Sequence, residues 1–304
     1  MFILNKFLKK IKKSNYLSRA KKISKLLKEL IGNNKIGIVD IGAGQRYLPT
    51  LLNFDGISKI AMIDPNKNLN WAYKNFIRLL NYPNNVEKFQ FGISNKTKKM
   101  KYYKAKRSTG STFIDIYKKA KKKNEKLDKD YFGEKNETKV QSYSFNDFIK
   151  KFFFKNPDIV KIDVEGFEVS IIKSILKSYN PFLIEIELNV NHRIYSNTFN
   201  EINNILVKKK YELLTAIPVY RNINNLNKKN KPFIYGDYHN PIFRSQLEQL
   251  DCIFVKKNKN KNLKTVAILI GYGFIIEAKL LLDKIYKNLP KKKSFLIKNF
   301  LKIN

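Results

Sequence analysis

One segment, Ile36-Gly-Ile-Val-Asp40-Ile-Gly42-Ala-Gly44, limits what this chain can fold into more than any other. Its apolar run, Ile36–Ile41, is strand-sized, and the small residues that follow let the backbone turn sharply and approach a ligand closely. The pattern recurs along the chain. Lys59–Asp64 is a second apolar run closed by an acid, with a helix-sized segment near Pro49–Phe54 between the two. Asn68–Leu80 has helical spacing at Leu69, Ala72, Tyr73, Phe76, Ile77 and Leu80. Further strands are expected at Val86–Gly92, Ile159–Asp163, Pro181–Glu187, Tyr211–Ala216 and Asp251–Val255, with smaller ones at Lys99–Tyr103 and Val140–Tyr143. Helices are expected at Asp147–Phe154, Glu168–Lys177 and Phe199–Lys209. Such repetition of nearly continuous apolar strands and helices predicts an α/β fold with a doubly wound, mostly parallel sheet. Ligands of these sheets bind outside the carboxyl ends of the strands, where the strand order reverses. The residues just after each strand are therefore the ones to inspect.

Three segments frame this reading. Residues 1–34 read as basic helices stopped by Gly32 and Asn33, 35–260 as the Rossmann-like domain, and 261–304 as a helical extension with continuous periodicity over Leu263–Tyr286. Residues 104–137 break the rhythm, with the run Lys118–Lys123 and few aliphatic residues, and read as an inserted loop or lid. The N-terminal helices pack on the domain edge or meet an anionic membrane surface, and the first reading is favoured. The longest apolar run, Val266–Ile276, has 11 residues, against about 20 needed to span a bilayer. No transmembrane segment or secretory signal is expected, and the single cysteine, Cys252, excludes an internal disulfide framework and fits a reducing cytoplasm.

The net charge of +36 invites a nucleic-acid reading. Against it, the basic residues are nearly all lysine, with only seven arginines, and arginine is the better bidentate reader of phosphate. The lysines also accompany a general excess of Asn and Ile. We therefore expect a solvated basic surface, with no specific nucleic-acid partner and some peripheral attraction to anionic membrane surfaces.

The chemistry-bearing residues cluster after the strands. Gly42 and Gly44 form the first turn, although Tyr47 stands where a dinucleotide fingerprint has its third glycine. Asp40 lies inside a strand end, where a carboxylate needs a partner. Asp64 ends the second strand 22 residues after Gly42, about where an acid accepts from ribose hydroxyls. This pair points to an adenosine-containing cofactor without naming it. The segment Asp158-Ile-Val-Lys-Ile-Asp163-Val-Glu165-Gly-Phe-Glu168 runs an apolar strand into three carboxylates. They can act as base, metal ligands or acceptors of substrate hydrogen bonds, and Glu168 is best explained as capping the next helix. Alternation places Glu185 and Glu187 on one face of the next strand, which suits a face that meets a cavity. His192 falls just beyond that strand and is a candidate proton acceptor, ahead of His239.

Asp40-Ile-Gly-Ala, Asp64-Pro65, Lys161-Ile-Asp-Val-Glu-Gly-Phe-Glu168 and Ile184-Glu-Ile-Glu187 resemble, in order and spacing, the FkbM-type methyltransferases over roughly residues 36–256. The resemblance implies a class I methyltransferase form of the Rossmann fold, S-adenosyl-L-methionine as cofactor, and methylation of a hydroxyl, of a sugar or glycan. It implies that Asp40, Gly42 and Gly44 cradle the methionine end, Asp64 holds the ribose, and Gly92 and Ile93 lie near the adenine. It implies that Asp163 faces the methyl and acceptor. From the residues themselves, Asp163 or His192 is expected to take the hydroxyl proton, Glu165 and Glu187 are the candidates to bind substrate, and no metal is expected. Two departures stand out: Gly44-Gln45-Arg46 replaces the family's Gly-Ala-Asn-x-Gly continuation, and Asp64 stands where Glu is common. The alternatives are an NAD-type oxidoreductase, which shares the turn and the second-strand acid, and a non-catalytic basic nucleic-acid-binding protein on the same fold.

Overall fold

In a computed structural model of the chain, the structure describes residues 16–44, 49–106, 111–123, 127, 133–152, 156–190, 198–221, 246–257 and 262–286. The candidates His192 and His239, and Gln45-Arg46-Tyr47 of the first turn, lie outside these residues. Helix α1 spans Tyr16–Ile31 and leads into strand β1, Ile36–Ile41; a 3-10 helix, Pro49–Phe54, precedes β2, Ser58–Ile63. Then follow α2 (Leu69–Ile77), β3 (Val86–Phe89), β4 (Gly92–Ser94), β5 (Lys98–Lys104), α3 (Ile116–Lys122), β6 (Asn136–Ser144) and α4 (Phe145–Phe152). The second half holds β7 (Ile159–Ile162), α5 (Glu168–Ser178), β8 (Leu183–Asn189), α6 (Phe199–Lys208), β9 (Tyr211–Arg221), β10 (Gln246–Lys256), α7 (Leu263–Gly271) and α8 (Ile275–Tyr286).

The main sheet has seven strands in the order β3-β2-β1-β7-β8-β10-β9. All pairs are parallel except those of β10, which runs antiparallel to both β8 and β9. From β1 the chain winds outward to β2 and β3, then returns to the other side of β1 as β7. The switch point expected from the sequence is thus the gap between β1 and β7 at their carboxyl ends.

Period-two alternation splits the sheet's side chains between two cores. One face buries Ile36, Ile38, Ile60, Met62, Ile159 and Leu183 beneath α1, α2, α7, α8 and the 3-10 helix. The other buries Val39, Ile41, Val160, Ile162, Ile184 and Ile186 beneath α4, α5 and α6. Helix α5 shows why these segments become helices: it buries Ile171, Ile172, Ile175 and Leu176 on one stripe. At about 1.5–3 kcal/mol per buried side chain, that stripe orders a segment too short to be helical alone.

Several sequence expectations need correction. Val86–Gly92 is not one strand: β3 belongs to the main sheet, whereas β4 belongs to a second sheet of order β4-β6-β5. Leu263–Tyr286 is two helices, broken at Gly273, whose φ of +85° ends α7. Residues 104–137 contain the helix α3, capped by the Asp115 side chain accepting from the Lys118 N–H at 2.9 Å, and the start of β6. Among the described residues no helix is long and apolar enough to cross a membrane.

Candidate functional site

The face that buries Ile36 and Ile38 changes character along its strands. On β1 the residues of this face run Ile36, Ile38, Asp40, Gly42; on β7, Ile159, Lys161, Asp163; on β8, Leu183, Glu185, Glu187. Hydrocarbon at the amino ends gives way to charge at the carboxyl ends. Register places Asp40, Lys161 and Glu185 side by side on adjacent strands, and Glu187 opposite Asp251 of β10.

Lys161 is the centre of this layer. Its ammonium lies 3.2 Å from Asp163 Oδ2 and 3.4 Å from Asp40 Oδ1. Burial works against the lysine charge, and Asp163, Asp40 and Glu185 outweigh it, raising the lysine's pKa. Asp40 is fully buried, and neither of its oxygens accepts a hydrogen bond. Burial raises its pKa against the pull of Lys161. It therefore faces the lysine within the sheet, although its motif suggests contact with the cofactor. Burial likewise pushes Glu185 up to about 7, and the Tyr272 hydroxyl, at the end of α7, donates to its Oε2 at 3.0 Å.

Asp163 and Glu187 form an unequal pair. Burial opposes ionisation of Asp163, but Lys161 and a hydrogen bond from Glu187 overcome it and hold its carboxyl below the usual range. Burial, Asp163 and Glu165 together drive Glu187 well above that range. Carboxylate oxygens of Asp163, Glu165 and Glu187 lie within 4.8 Å of one another. Two carboxyls this close repel when both are ionised, and the opposite directions of their shifts favour the proton on Glu187. The turn beyond β7 is tight: Glu165 has φ +55° and Gly166 φ +93°. Glu168 closes this turn, accepting from the Gly166 N–H at 2.8 Å, and burial pushes it up to about 7.

The first turn assigns different tasks to its two glycines. Gly42 has φ +81°, and a Cβ there would fall 1.7 Å from the Asp163 carbonyl oxygen. Its close approach is to the protein's own β7 backbone. Gly44, at φ +51°, is less crowded: among the described residues the nearest atoms to an added Cβ are the Gly42 carbonyl oxygen at 3.6 Å and Asp64 Oδ2 at 3.9 Å, ordinary contact distances. Its N–H donates to Asp64 Oδ2 at 2.8 Å, and Asn66 N–H donates to Oδ1 at 2.6 Å. Burial pushes Asp64 up to about 6 despite these two bonds. Each of its oxygens retains a second acceptor position.

Asp64, Gly92, Ile93, Thr112, Phe113 and Asp163 line one cleft. The sequence reading finds four of these six. Thr112 and Phe113 come from the segment between β5 and β6. Thr112 is buried, bridges to Tyr103, and donates from Oγ1 to the Glu165 carbonyl at 2.8 Å. Phe113 covers Gly92 so closely that a Cβ there would meet its ring at 2.2 Å. Its ring lies 5.5 Å from that of Tyr102 and 5.7 Å from that of Phe167. A buried threonine and an aromatic in a stretch of lysines are the only local signals. Lys161 and Tyr272 are the other residues the sequence does not single out, because their partners lie on other strands.

The FkbM methyltransferase domain model matches residues 40–213, more than half of the chain. This chain belongs to the FkbM methyltransferase family. Several solved methyltransferases match the chain at low identity and with TM-scores below 0.5. An FkbM methyltransferase from Methylobacillus flagellatus KT is 14% identical, with a TM-score of 0.39, over 73% of this chain and 43% of that one. The FkbM-family chain described here thus spans less than half the length of that relative. M. capricolum TrmK, solved with S-adenosyl-homocysteine, is 16% identical over 93% of each chain, with a TM-score of 0.37. An O-methyltransferase from Bacillus cereus, also solved with S-adenosyl-homocysteine, is 13% identical over 79% of this chain and 81% of that one, with a TM-score of 0.37. No curated protein matches the sequence.

Proposed function

We propose that this FkbM-family protein is an S-adenosylmethionine-dependent O-methyltransferase acting on a hydroxyl, of a sugar or glycan. One observation carries the reading: at the switch point the N–H of a turn glycine, Gly44, donates to a strand-end carboxylate, Asp64, which lines one cleft together with Gly42 and Asp163. The residues fit the cofactor, since Asp64, on the cleft wall, keeps acceptor positions for ribose hydroxyls. In this reading Gly42 and Gly44 shape the pocket for the methionine end, Gly92 and Ile93 flank the adenine, and Asp40 acts through Lys161.

The cofactor supplies an electrophilic methyl on a sulfonium. The chain's own contribution is to hold the acceptor oxygen in line, which makes an otherwise bimolecular transfer effectively unimolecular. Asp163, the ionised member of its pair, accepts a hydrogen bond from the acceptor hydroxyl and takes its proton, with His192 as the second candidate for that task. Glu165 and Glu187 hold neighbouring hydroxyls. The same proposal takes the cytoplasm as the enzyme's location, a reducing compartment in keeping with a free, buried Cys252 thiol. The lysine-rich face of α1, with Lys21, Lys22 and Lys25 beside Leu17, supports a peripheral attraction to anionic membranes.

Calorimetric titration with S-adenosyl-homocysteine tests the reading. Micromolar binding is expected, weakened by about 1.5–3 kcal/mol in Asp64→Ala, as loss of a charge-assisted hydrogen bond requires. Absence of binding by the unmodified protein would sink it.

A further inference from the structure

The feature that the family motifs leave without a task is the lysine inside the sheet. Lys161 sits in the middle of β7 between Ile159 and Asp163 on one face, with a side chain 14% exposed. A lysine there is costly to bury, and a methionine would fill the same space without charge. Its ammonium reaches Asp163 in front and Asp40 behind. Glu185 stands beside it in register, fixed in turn by the Tyr272 hydroxyl. Tyr272 is itself held where α7 ends: its ring lies 5.9 Å from that of Phe54, and the preceding Gly271 carbonyl accepts from Asn53 Nδ2 at 2.8 Å. The lysine therefore touches Asp163 at the cleft wall and Asp40 within the sheet, with the charge of Glu185 beside it.

We propose that Lys161 is a positioning residue for the methyl-transfer site: clamped by Asp40 and Glu185, it fixes the Asp163 carboxylate at the cleft wall and decides that the proton shared between Asp163 and Glu187 resides on Glu187. This rests on the reading of Asp163 as the group that faces the acceptor. Asp163 is faced by Lys161 from its own strand, Asp40 from β1, Asp64 from β2, Glu187 from β8 and Asp251 from β10. Glu165 and Glu168 face it from the turn and helix that follow. All of these but Lys161 are acids, and without the ammonium Asp163 is a half-exposed carboxyl crowded by other acids whose negative charge opposes its ionisation. Lys161 touches no reacting atom; it acts by leaving Asp163 free to accept a proton while Glu187 donates.

The test needs no cofactor and no acceptor. Protein labelled with 13C at the aspartate carboxyl is titrated by NMR from pH 8.5 to 4.5, with the Asp163 signal assigned by its loss in Asp163→Asn. In the unmodified protein Asp163 is expected to stay ionised throughout. In Lys161→Met its midpoint is expected to rise by about 1–3 pH units, into the titrated range, and Lys161→Arg to restore the unmodified behaviour. A lysine with a purely structural role would leave the midpoint where it was, and that result overturns the proposal. So does titration of Asp163 within the range in the unmodified protein, a measurement that holds even if Lys161→Met does not fold. Failure of the methyltransferase reading shows separately, as absence of S-adenosyl-homocysteine binding.

Discussion

Gly42 and Gly44 stand two residues apart in one turn, and both have positive φ, yet replacing each with alanine has a different expected cost. Gly42→Ala meets two penalties. Holding a side chain at φ +81° costs about 1–2 kcal/mol. The new Cβ would also lie 1.7 Å from the Asp163 carbonyl oxygen and 2.7 Å from its carbon. Backbone cannot yield as a flexible side chain does, so β1 and β7 must part where they hydrogen-bond, at about 1–3 kcal/mol more. Gly44→Ala meets the first penalty alone, because among the described residues the nearest atoms to its Cβ, at 3.6 and 3.9 Å, stand at ordinary contact distances. At about 3 °C per kcal/mol for a domain of this size, thermal unfolding should fall by roughly 6–15 °C for Gly42→Ala and by roughly 3–6 °C for Gly44→Ala. Differential scanning calorimetry of the two variants beside the parent measures both. If Gly42→Ala melts within about 3 °C of the parent, or above Gly44→Ala, the contact between Gly42 and β7 is not what the first glycine is for.

The buried carboxylates set the pH dependence of stability. Asp64, pushed up to about 6, and Glu168 and Glu185, pushed up to about 7, bind protons more tightly folded than unfolded. Their contribution to stability is complete below their unfolded values and is lost as the pH rises through 6 to 7. For each group the loss is up to about 1.4 kcal/mol for every pH unit that separates its folded from its unfolded pKa. Melting temperature should therefore rise as buffer pH is lowered from 8.5 to 5.5, and a flat or falling curve contradicts the burial described here. Thr112→Val removes the donor to the Glu165 carbonyl and the acceptor for the Ile114 N–H. Losing these should cost about 1–3 kcal/mol locally. Hydrogen exchange at Phe113 and Ile114 should then quicken by about 5- to 150-fold, and unchanged exchange would mean that the segment is held by Phe113 alone.

The first two strands, β7 and β8 were legible because each is an apolar run that stops at an acid, a pattern imposed by burial on both faces. Where a strand is buried less, the reading falls short. Tyr211–Ala216 and Asp251–Val255 mark only parts of β9 and β10, each of which spans 11 residues. Beyond those parts the pair is held by its own antiparallel ladder, and polar residues such as Gln249 are admitted. The periodicity of Leu263–Tyr286 hides the break at Gly273, since a 3.6-residue repeat does not register one residue of positive φ. Within the site, Asp64, Asp163 and Glu187 were visible as acids at strand ends. The clamp on Lys161 was not, because it consists of register between strands and of a tyrosine more than a hundred residues away in sequence. Phe113 is hidden for a similar reason: its partners Gly92 and Phe167 are brought to it by the path of a connection, and no local repeat encodes that path.

The gradation of one sheet face from Ile36 and Leu183 to Asp40 and Glu187 has a consequence for how such a chain can change. A deletion or insertion of one residue within β8 would turn Glu185 and Glu187 into the hydrocarbon of α4 to α6 and bring Ile184 and Ile186 against Lys161. Both halves of the strand would fail at once. The strands thus act as rulers of fixed length, and only exchanges of one side chain for another can alter the cleft from below. Variation in length is left to the connections, such as the one between β5 and β6 that carries Thr112 and Phe113, and it is there that a new acceptor can be accommodated without disturbing the sheet.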